Sequence, residues 1–450
     1  MMHLKAGAAW LFCLFYLPGL RAQEARTPQI HSFSLQQAAD YAQQHNVQVV
    51  NALLDVQIQK QSNRGITSQA LPNLSAEGSY TDYLKIPVTV VPAEFFGGAP
   101  GTFAPVQFGT KHNASGAVNL RQVLFDGQVF VGLQARKTSI DLLTTQAALT
   151  EENIRANVYK IYYQLVVSKT QIAQIDANIE LLQKFANDTR IMHENGFAEE
   201  LDANRANVQL ANIQTEKSKV LNSVANGYLA LKVLIGVPAQ DSLVLTDPIT
   251  EDEIKAGALE SGIYKYTNRK EFQAMQLTER LNEYDIKRHK MSYIPSLNLN
   301  ATYSKMAMRT SFDLFGKGEW FTTSYVGLSL SVPIFDGFSR ASNIQKAKLT
   351  LQQTQNQMAT LQLSIDQEVI QARNDFKTAI LTIDFQKANT GLAEKAYQQT
   401  KKKFESGLAS TTDVTTAQTD LRTAQSNYIS ALYDAVIARV NYLKATGQLK

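Results

Sequence analysis

Cysteine is almost absent: the 450 residues hold one, Cys13. It lies in an apolar run near the N-terminus and follows Phe12, where a lipid-attachment site requires a small residue. A mature chain without cysteine has no disulfides, thiolate metal sites or cysteine nucleophiles. Long apolar runs are missing as well. Past the first 22 residues none reaches the eighteen or so that a membrane helix requires, so a mature chain that crosses a membrane must do so as strands. The six histidines are scattered, with no HExxH, and neither a phosphate-binding glycine loop after a strand nor a nucleophile elbow is found. This predicts no catalytic residue, no metal site and no cofactor, and a protein that is not an enzyme. An excess of one charge is lacking too, with 44 Lys and Arg against 40 Asp and Glu and a net +4 that falls to +2 if Lys5 and Arg21 are removed. That balance argues against nucleic acid as a partner.

The N-terminus carries Lys5, an apolar run from Ala6 to Leu20 broken only at Pro18 and Gly19, then Arg21 and Ala22. This pattern predicts a secretory signal peptide over 1–22, cut after Ala22.

Glycine and proline are withheld over long stretches. The 63 residues Leu133–Asn195 contain neither, and the 39 between Gly196 and Gly236 contain only Gly227. A second unit repeats the pattern: 69 residues, Phe338–Ser406, hold only Gly391, and the 39 residues Leu408–Thr446 hold neither. At about 1.5 Å per residue the first stretch is a helix of roughly 95 Å and its return arm one of about 60 Å. Each unit therefore reads as a very long helical hairpin. The units are duplicates: Glu194, Gly196, Asp202, Ala206, Leu210, Leu221 and Gly236 recur 211 positions later as Glu405, Gly407, Asp413, Ala417, Leu421, Leu432 and Gly447. Such self-similarity predicts a pseudo-symmetric architecture. Two further helical stretches, Asn268–Met291 and one capped by Ser34 and running through Arg64, have the length to complete the shorter arms. The first is expected to extend the first return arm and the second the last. Leu421, Ala424, Tyr428, Ala431, Ala435, Ala438 and Tyr442 step by threes and fours, with a second stripe at Ile429, Leu432, Val436 and Leu443. This suits a wall of helices with close neighbours on two sides; one wide buried face in a soluble bundle is the alternative. Val237–Gly262, with Pro238 and Pro248, reads as a partly irregular belt.

Ahead of each hairpin the period changes to two. Leu297, Leu299, Ala301 and Tyr303 alternate with Asn298, Asn300, Thr302 and Ser304, and Val326, Leu328, Leu330 and Val332 alternate with polar or small residues. These are strands of about ten residues, the length for a tilted membrane strand. Aromatics gather at their ends and loops, at Tyr80, Tyr83, Phe95, Phe96, Phe312, Phe315, Trp320 and Phe321. Such clusters mark bilayer interfaces, although soluble strands favour aromatics too. Four strands cannot close a barrel, and open edges cannot sit in lipid. Two, three or four copies would give 8, 12 or 16 strands.

The residues that carry a resemblance are SLQQAADYAQQHNVQVVNA from Ser34, the LPNL and IPSL strand openings, LFDG and IFDG before each long helix, and the tips NGFAEELDANRA and FESGLASTTDVTTAQTDLRTAQSNY. Together they resemble the TolC-like outer-membrane efflux protein (outer membrane factor) family over nearly the whole mature chain. The resemblance implies a mainly α fold with membrane β, namely a homotrimer with a 12-stranded transmembrane β-barrel and a long periplasmic α-helical barrel. It divides the chain into 1–22 signal peptide, 23–70 N-terminal periplasmic helix, 71–127 first outer-membrane strand pair and 128–236 first hairpin. There follow 237–293 linker, equatorial region and helix, 294–337 second strand pair and 338–450 second hairpin. It implies a location in the outer membrane extending into the periplasm, and an exit duct of a tripartite efflux system. The implied partners are outer-membrane lipid, a periplasmic membrane-fusion adaptor and an inner-membrane pump, of RND rather than ABC type. A type I protein-secretion channel is the alternative on the same scaffold, and a non-conducting periplasmic coiled-coil protein the alternative of a different class.

The family pattern places a periplasmic aperture at the tips, and Asp413, Thr416, Asp202 and Phe404 are the candidates here. Thr416 stands where the family has a second acid, Phe404 where it has tyrosine, and Ala409 where it has the tip arginine, so the polar lock is largely missing. Asp413 and Asp202 have N-capping as their simpler role. Gly196, Phe197, Gly407 and Leu408 form the tip turns expected to dock the adaptor. Lys401, Lys402 and Lys403 suit either that docking or a helix C-terminus. Gly391, which Glu180 replaces in the first unit, is a candidate hinge, with a tight helix contact as its alternative.

Overall fold

The computed structural model describes residues 28–248, 250–255, 264–313, 316 and 318–449. The signal peptide, Cys13 and Phe315 fall outside the described residues, as do residues 249 and 256–262 of the belt.

In chain order the elements are β1 (Ile30–Phe33), α1 (Leu35–His45), α2 (Val47–Ser68), β2 (Asn73–Asp82), β3 (Val88–Pro92), β4 (Phe103–Gln107), β5 (His112–Phe125) and α3 (Gly127–Glu194). They continue with α4 (Glu200–Ile235), β6 (Ser242–Leu245), α5 (Glu251–Lys255), α6 (Lys270–Met291), β7 (Ser296–Arg309), β8 (Phe321–Ser331), α7 (Ser339–Glu405) and α8 (Thr411–Ala445). The 68-residue α3 and 67-residue α7 are each about 100 Å long. The Asp126 carboxylate starts α3 by accepting from the Gln128 and Val129 amides at 2.8 and 3.4 Å. All four hairpin arms end on a glycine with positive φ or run into one, and the hydrogen bonds match between units. Phe197 N–H donates to Met192 O as Leu408 N–H does to Lys403 O, and Val237 N–H to Lys232 O as Gln448 N–H does to Leu443 O.

Two expectations about the shorter helices require correction. The stretch from Ser34 is not one helix. Ser34 caps α1 in a reciprocal box with Gln37, the chain breaks at Asn46, and the Asn46 side chain caps α2 by accepting from Gln48 and Val49. An asparagine oxygen competes with the helical carbonyls for those amides, which favours a restart over continuation. The stacking is also exchanged. It is α2 that continues the first return arm, α4, since Asn46 Nδ2 donates to Leu234 O at 2.7 Å. It is α6 that continues the last arm, α8, since Arg269 Nη1 donates to Ala445 O at 2.8 Å. In each unit the return arm is thus completed by the helix that opens that same unit. The orphan carbonyls at the end of one helix find donors at the start of the next.

A four-stranded antiparallel sheet in the order β2-β5-β7-β8 joins the units through β5 and β7. Its outer strands, β2 and β8, each have one unpaired edge. The helices follow the same order. α3 packs on α2 and α4 to one side and on α6 and α8 to the other, and α7 lies beyond α6 and α8. The belt holds structure that its irregular composition did not signal, a parallel β1–β6 pair and the short α5. The largest core lies at this level. Ala38, Ala39 and Ala42 of α1 lie against Val158, Tyr162 and Leu165 of α3 and Leu231 and Ile235 of α4. Small residues on α1 allow its backbone close to the wall. No described helix is long and apolar enough to cross a membrane.

Candidate aperture at the hairpin tips

The two tips lie side by side at the end of the wall away from the sheet. In the first, Gly196 adopts φ 77° and leaves Phe197 80% exposed; in the second, Gly407 adopts φ 73° and leaves Leu408 80% exposed. Each turn thus presents one large apolar side chain to solvent next to a glycine whose left-handed backbone disfavours other residues.

Asp413 sits in the first turn of α8. Its carboxylate accepts from Ser410 N–H and Oγ, both at 2.8 Å, while its own N–H donates to Ser410 Oγ at 3.2 Å. These bonds, led by that from the Ser410 backbone, hold the carboxyl below the usual aspartate range. Asp202 holds the matching place on α4 but does not reproduce this, because α4 has no side-chain cap. Thr416 is exposed and donates to Thr412 O at 2.9 Å. Phe404 turns inward and packs on Phe185 of α3 with ring centroids 5.9 Å apart, beside the buried Tyr397, Val414 and Leu421. The structure thus brings Asp413, Thr416 and Phe404 to the same end of the second hairpin but to different surroundings. Asp413 and Thr416 face solvent, and Phe404 belongs to the apolar plug between hairpins.

The contacts that join the hairpins were not legible in the sequence. Arg205 Nη1 donates to Thr412 Oγ1 at 3.2 Å, Arg422 Nη1 meets Glu216 at 3.3 Å, and Asn178 Nδ2 donates to Gln425 Oε1 at 2.9 Å. Between α3, α4 and α8 lies a cavity of about 190 Å³ lined by Asn178, Gln209, Asn212, Gln418 and Arg422 among others. The Gln418 carboxamide is buried there without a hydrogen-bond partner among the described residues. A buried unpaired amide of this kind costs about 1–3 kcal/mol.

Further up, α5 fastens the belt to the second hairpin. Ile254 is buried against Ile383 of α7 and Ala431, Leu432 and Ala435 of α8. Glu251 accepts from the Tyr428 hydroxyl and, at 2.9 Å, from Lys387, and Lys255 meets Asp384 at 2.6 Å. The Tyr428 and Lys387 bonds hold Glu251 below its usual pKa, the Asp384 bond raises Lys255, and burial followed by the Glu251 bond raises Tyr428. At the other end of the belt Tyr264 and Tyr266 both donate to Asp366, which pushes Tyr264 up to about 12. Gly391 lies one to two turns tipward of the α5 contact, within continuous helix, and a Cβ built on it meets nothing within 4 Å. The chain itself therefore gives that glycine no tight contact.

These features define a class: a duplicated chain in which two long helical hairpins extend from a four-stranded amphipathic sheet. Residues 266–448 match the sequence family described as outer membrane efflux protein. Outer membrane protein TolC of Vibrio cholerae is 21% identical over 340 residues, covering 74% of this chain and 77% of that protein. Outer membrane efflux protein BepC of Brucella suis is 22% identical over 360 residues, covering 76% and 74%. Among solved structures, CusC superposes with a TM-score of 0.75 at 17% identity over 92% of this chain and 91% of its own, a likeness of fold. The chain is thus similar in sequence to TolC-like outer-membrane efflux proteins over about three quarters of its length, which points to the Gram-negative outer membrane as its location.

Proposed function

We propose that three copies of this chain form the exit duct of a tripartite efflux system, passively conducting substrates from a periplasmic adaptor and an inner-membrane pump to the outside. The observation that carries the reading is the pair of unpaired flanks. On one side stand the β2 edge and α2 with α4, on the other the β8 edge and α7. Both are apolar where they lack a neighbour. On α7, Leu363 and Ile370 are exposed seven residues apart, as are Phe385 and Leu392; on α4, Leu201 and Val208 repeat that spacing. Seven-residue spacing is that of a helix seam awaiting a partner helix. The sheet supports the same closure. Register places Glu77, Asn119, Arg121, Asn300 and Thr302 on one face and Leu74, Val118, Leu120, Ala301 and Tyr303 on the other. In a barrel of 12 strands the polar set lines an aqueous lumen and the apolar set meets lipid.

In this reading the tips form the aperture, with Asp413, Thr416 and Asp202 near it and Phe404 behind it. The Gly196–Phe197 and Gly407–Leu408 turns dock the adaptor, and Gly391 serves as the hinge of the second hairpin. An RND-type pump is the partner proposed, in keeping with the family resemblance. Cross-linking of detergent-extracted protein should stop at three chains. A monodisperse folded monomer with full strand content rejects the duct.

A further inference from the structure

The charge of this chain is nearly balanced overall but not along its length. In the turns next to the sheet, residues 58–68 of α2, 127–140 of α3, 280–291 of α6 and 339–350 of α7 hold eleven Lys and Arg against two acids, Glu283 and Asp285. In the turns next to the tips, 181–194, 200–213, 392–405 and 411–424, eight Lys and Arg face eight acids. The excess of positive charge is therefore a collar beside the sheet, and it has a shaped centre. Between α2 and α3 runs an open groove of about 550 Å³ whose lining includes Lys60, Arg64, Lys137, Gln134, Leu133 and Ile140. Its rim is basic and part of its floor apolar. Lys60, Arg64 and Lys137 are exposed, and Gln134 at the groove's far edge accepts from Lys287 of α6 at 2.7 Å. The nearest acid on α3, Asp141, lies one turn farther from the sheet.

The groove opens on the outside of the wall. Arg136 and Ser139 of α3 turn toward α2, where Arg136 Nη1 donates to Thr67 Oγ1 at 2.6 Å and Gln59 donates to Ser139, while Gly127 and Gln134 turn toward α6 at Met291 and Lys287. At about 100° per residue these two directions leave one arc of roughly 200° and one of roughly 160°. In a closed ring of helices the wider arc faces outward, and Leu133, Lys137 and Ile140 project into it. Lys60 and Arg64 lie only one to two turns below the end of α2 at Ser68, at about 6–12 Å, within reach of a headgroup layer bordering the sheet.

We propose that this groove binds an anionic phospholipid of the periplasmic leaflet, its phosphate held by Lys60, Arg64 and Lys137 and its glycerol and upper acyl carbons lying on Leu133 and Ile140. Basic side chains beside a membrane surface draw anionic headgroups, and an apolar floor selects a lipid over a bare anion. The proposal rests on the reading that the sheet is embedded in the outer membrane.

The test places the protein in nanodiscs of phosphatidylcholine with a minor share of phosphatidylglycerol and counts retained lipids by native mass spectrometry. Wild type should retain phosphatidylglycerol in preference to phosphatidylcholine. The triple variant Lys60→Gln, Arg64→Gln, Lys137→Gln should lose that preference by roughly a hundredfold, about fivefold per cation, while Lys219→Gln on α4 keeps it. All four side chains are exposed, and trimer mass in the same spectra reports folding. Equal retention in wild type and triple variant overturns the proposal, as does equal loss in Lys219→Gln. Displacement by millimolar inorganic phosphate would show a free-anion site, and displacement by peptidoglycan fragments a cell-wall site; either also overturns it. Wild-type protein that never enters the nanodisc rejects the outer-membrane reading itself, whereas inserted protein without lipid preference rejects the groove alone.

Discussion

The side-chain amide of Asn46 donates to the carbonyl of Leu234 at 2.7 Å, while the oxygen of the same side chain accepts from the amides of Gln48 and Val49. One residue thereby closes the C-terminus of α4 and opens the N-terminus of α2, so two separate helices act as one arm matching α3.

Asn46→Ala should remove both functions. The cap is worth about 1 kcal/mol and the cross-helix bond about another, so a loss near 2 kcal/mol is expected. Hydrogen exchange should speed up at Val49 and Ile235 and not at the tips; a uniform change along the chain would reject Asn46 as the joint.

Gly236 and Gly391 should respond oppositely to alanine. Gly236 has φ 81°, and a Cβ there lies 2.6 Å from the His45 carbonyl oxygen, whereas Gly391 has room. Gly236→Ala is expected to cost at least about 1–2 kcal/mol. Gly391→Ala should raise helix stability by up to about 1 kcal/mol. If Gly391 is a hinge, its variant also exports less while assembling normally. Unchanged export removes that role.

Acid should loosen the second tip through Asp413. Its pKa is depressed in the folded chain, so its contribution to α8 is present above the ordinary aspartate value of about 3.9 and fades as pH falls through the folded value. Amide protection in the first turn of α8 should drop in that window and be independent of pH there in Asp413→Ala. In bilayer recordings Asp413→Asn should weaken cation preference if three copies face the axis; unchanged selectivity leaves Asp413 as a cap alone.

The α5 fastening has two pH limits. Glu251 is depressed, so its contribution holds above the ordinary glutamate value near 4.3 and is lost as pH falls through the folded one. Lys255 and Tyr428 are raised, so theirs hold below their ordinary values near 10 and are lost as pH rises through the folded ones. Glu251→Gln should make the Lys255 peptide bond more sensitive to trypsin at neutral pH while leaving the tips protected. Equal resistance would show that Ile254 packing alone holds α5.

What the sequence determined by itself is what repeats locally. Withheld glycine and proline made the long helices, alternation made the strands, and the glycines 211 positions apart made four matching helix ends, because these depend on backbone preferences within a few residues. The tertiary structure decided what meets what. The distance between Leu234 and Asn46 in the chain, or between Glu216 and Arg422, leaves no periodic signal, so which short helix completes which arm could not be read and was expected the wrong way round. Phe404 reads as a tip residue until Phe185 of the other hairpin covers it. Two polar faces look alike in sequence until packing closes one over Gln418 and leaves the other, at Lys60 and Arg64, open beside the sheet. Local conformational preference is written in each residue and its neighbours, whereas burial is a property of the assembled wall.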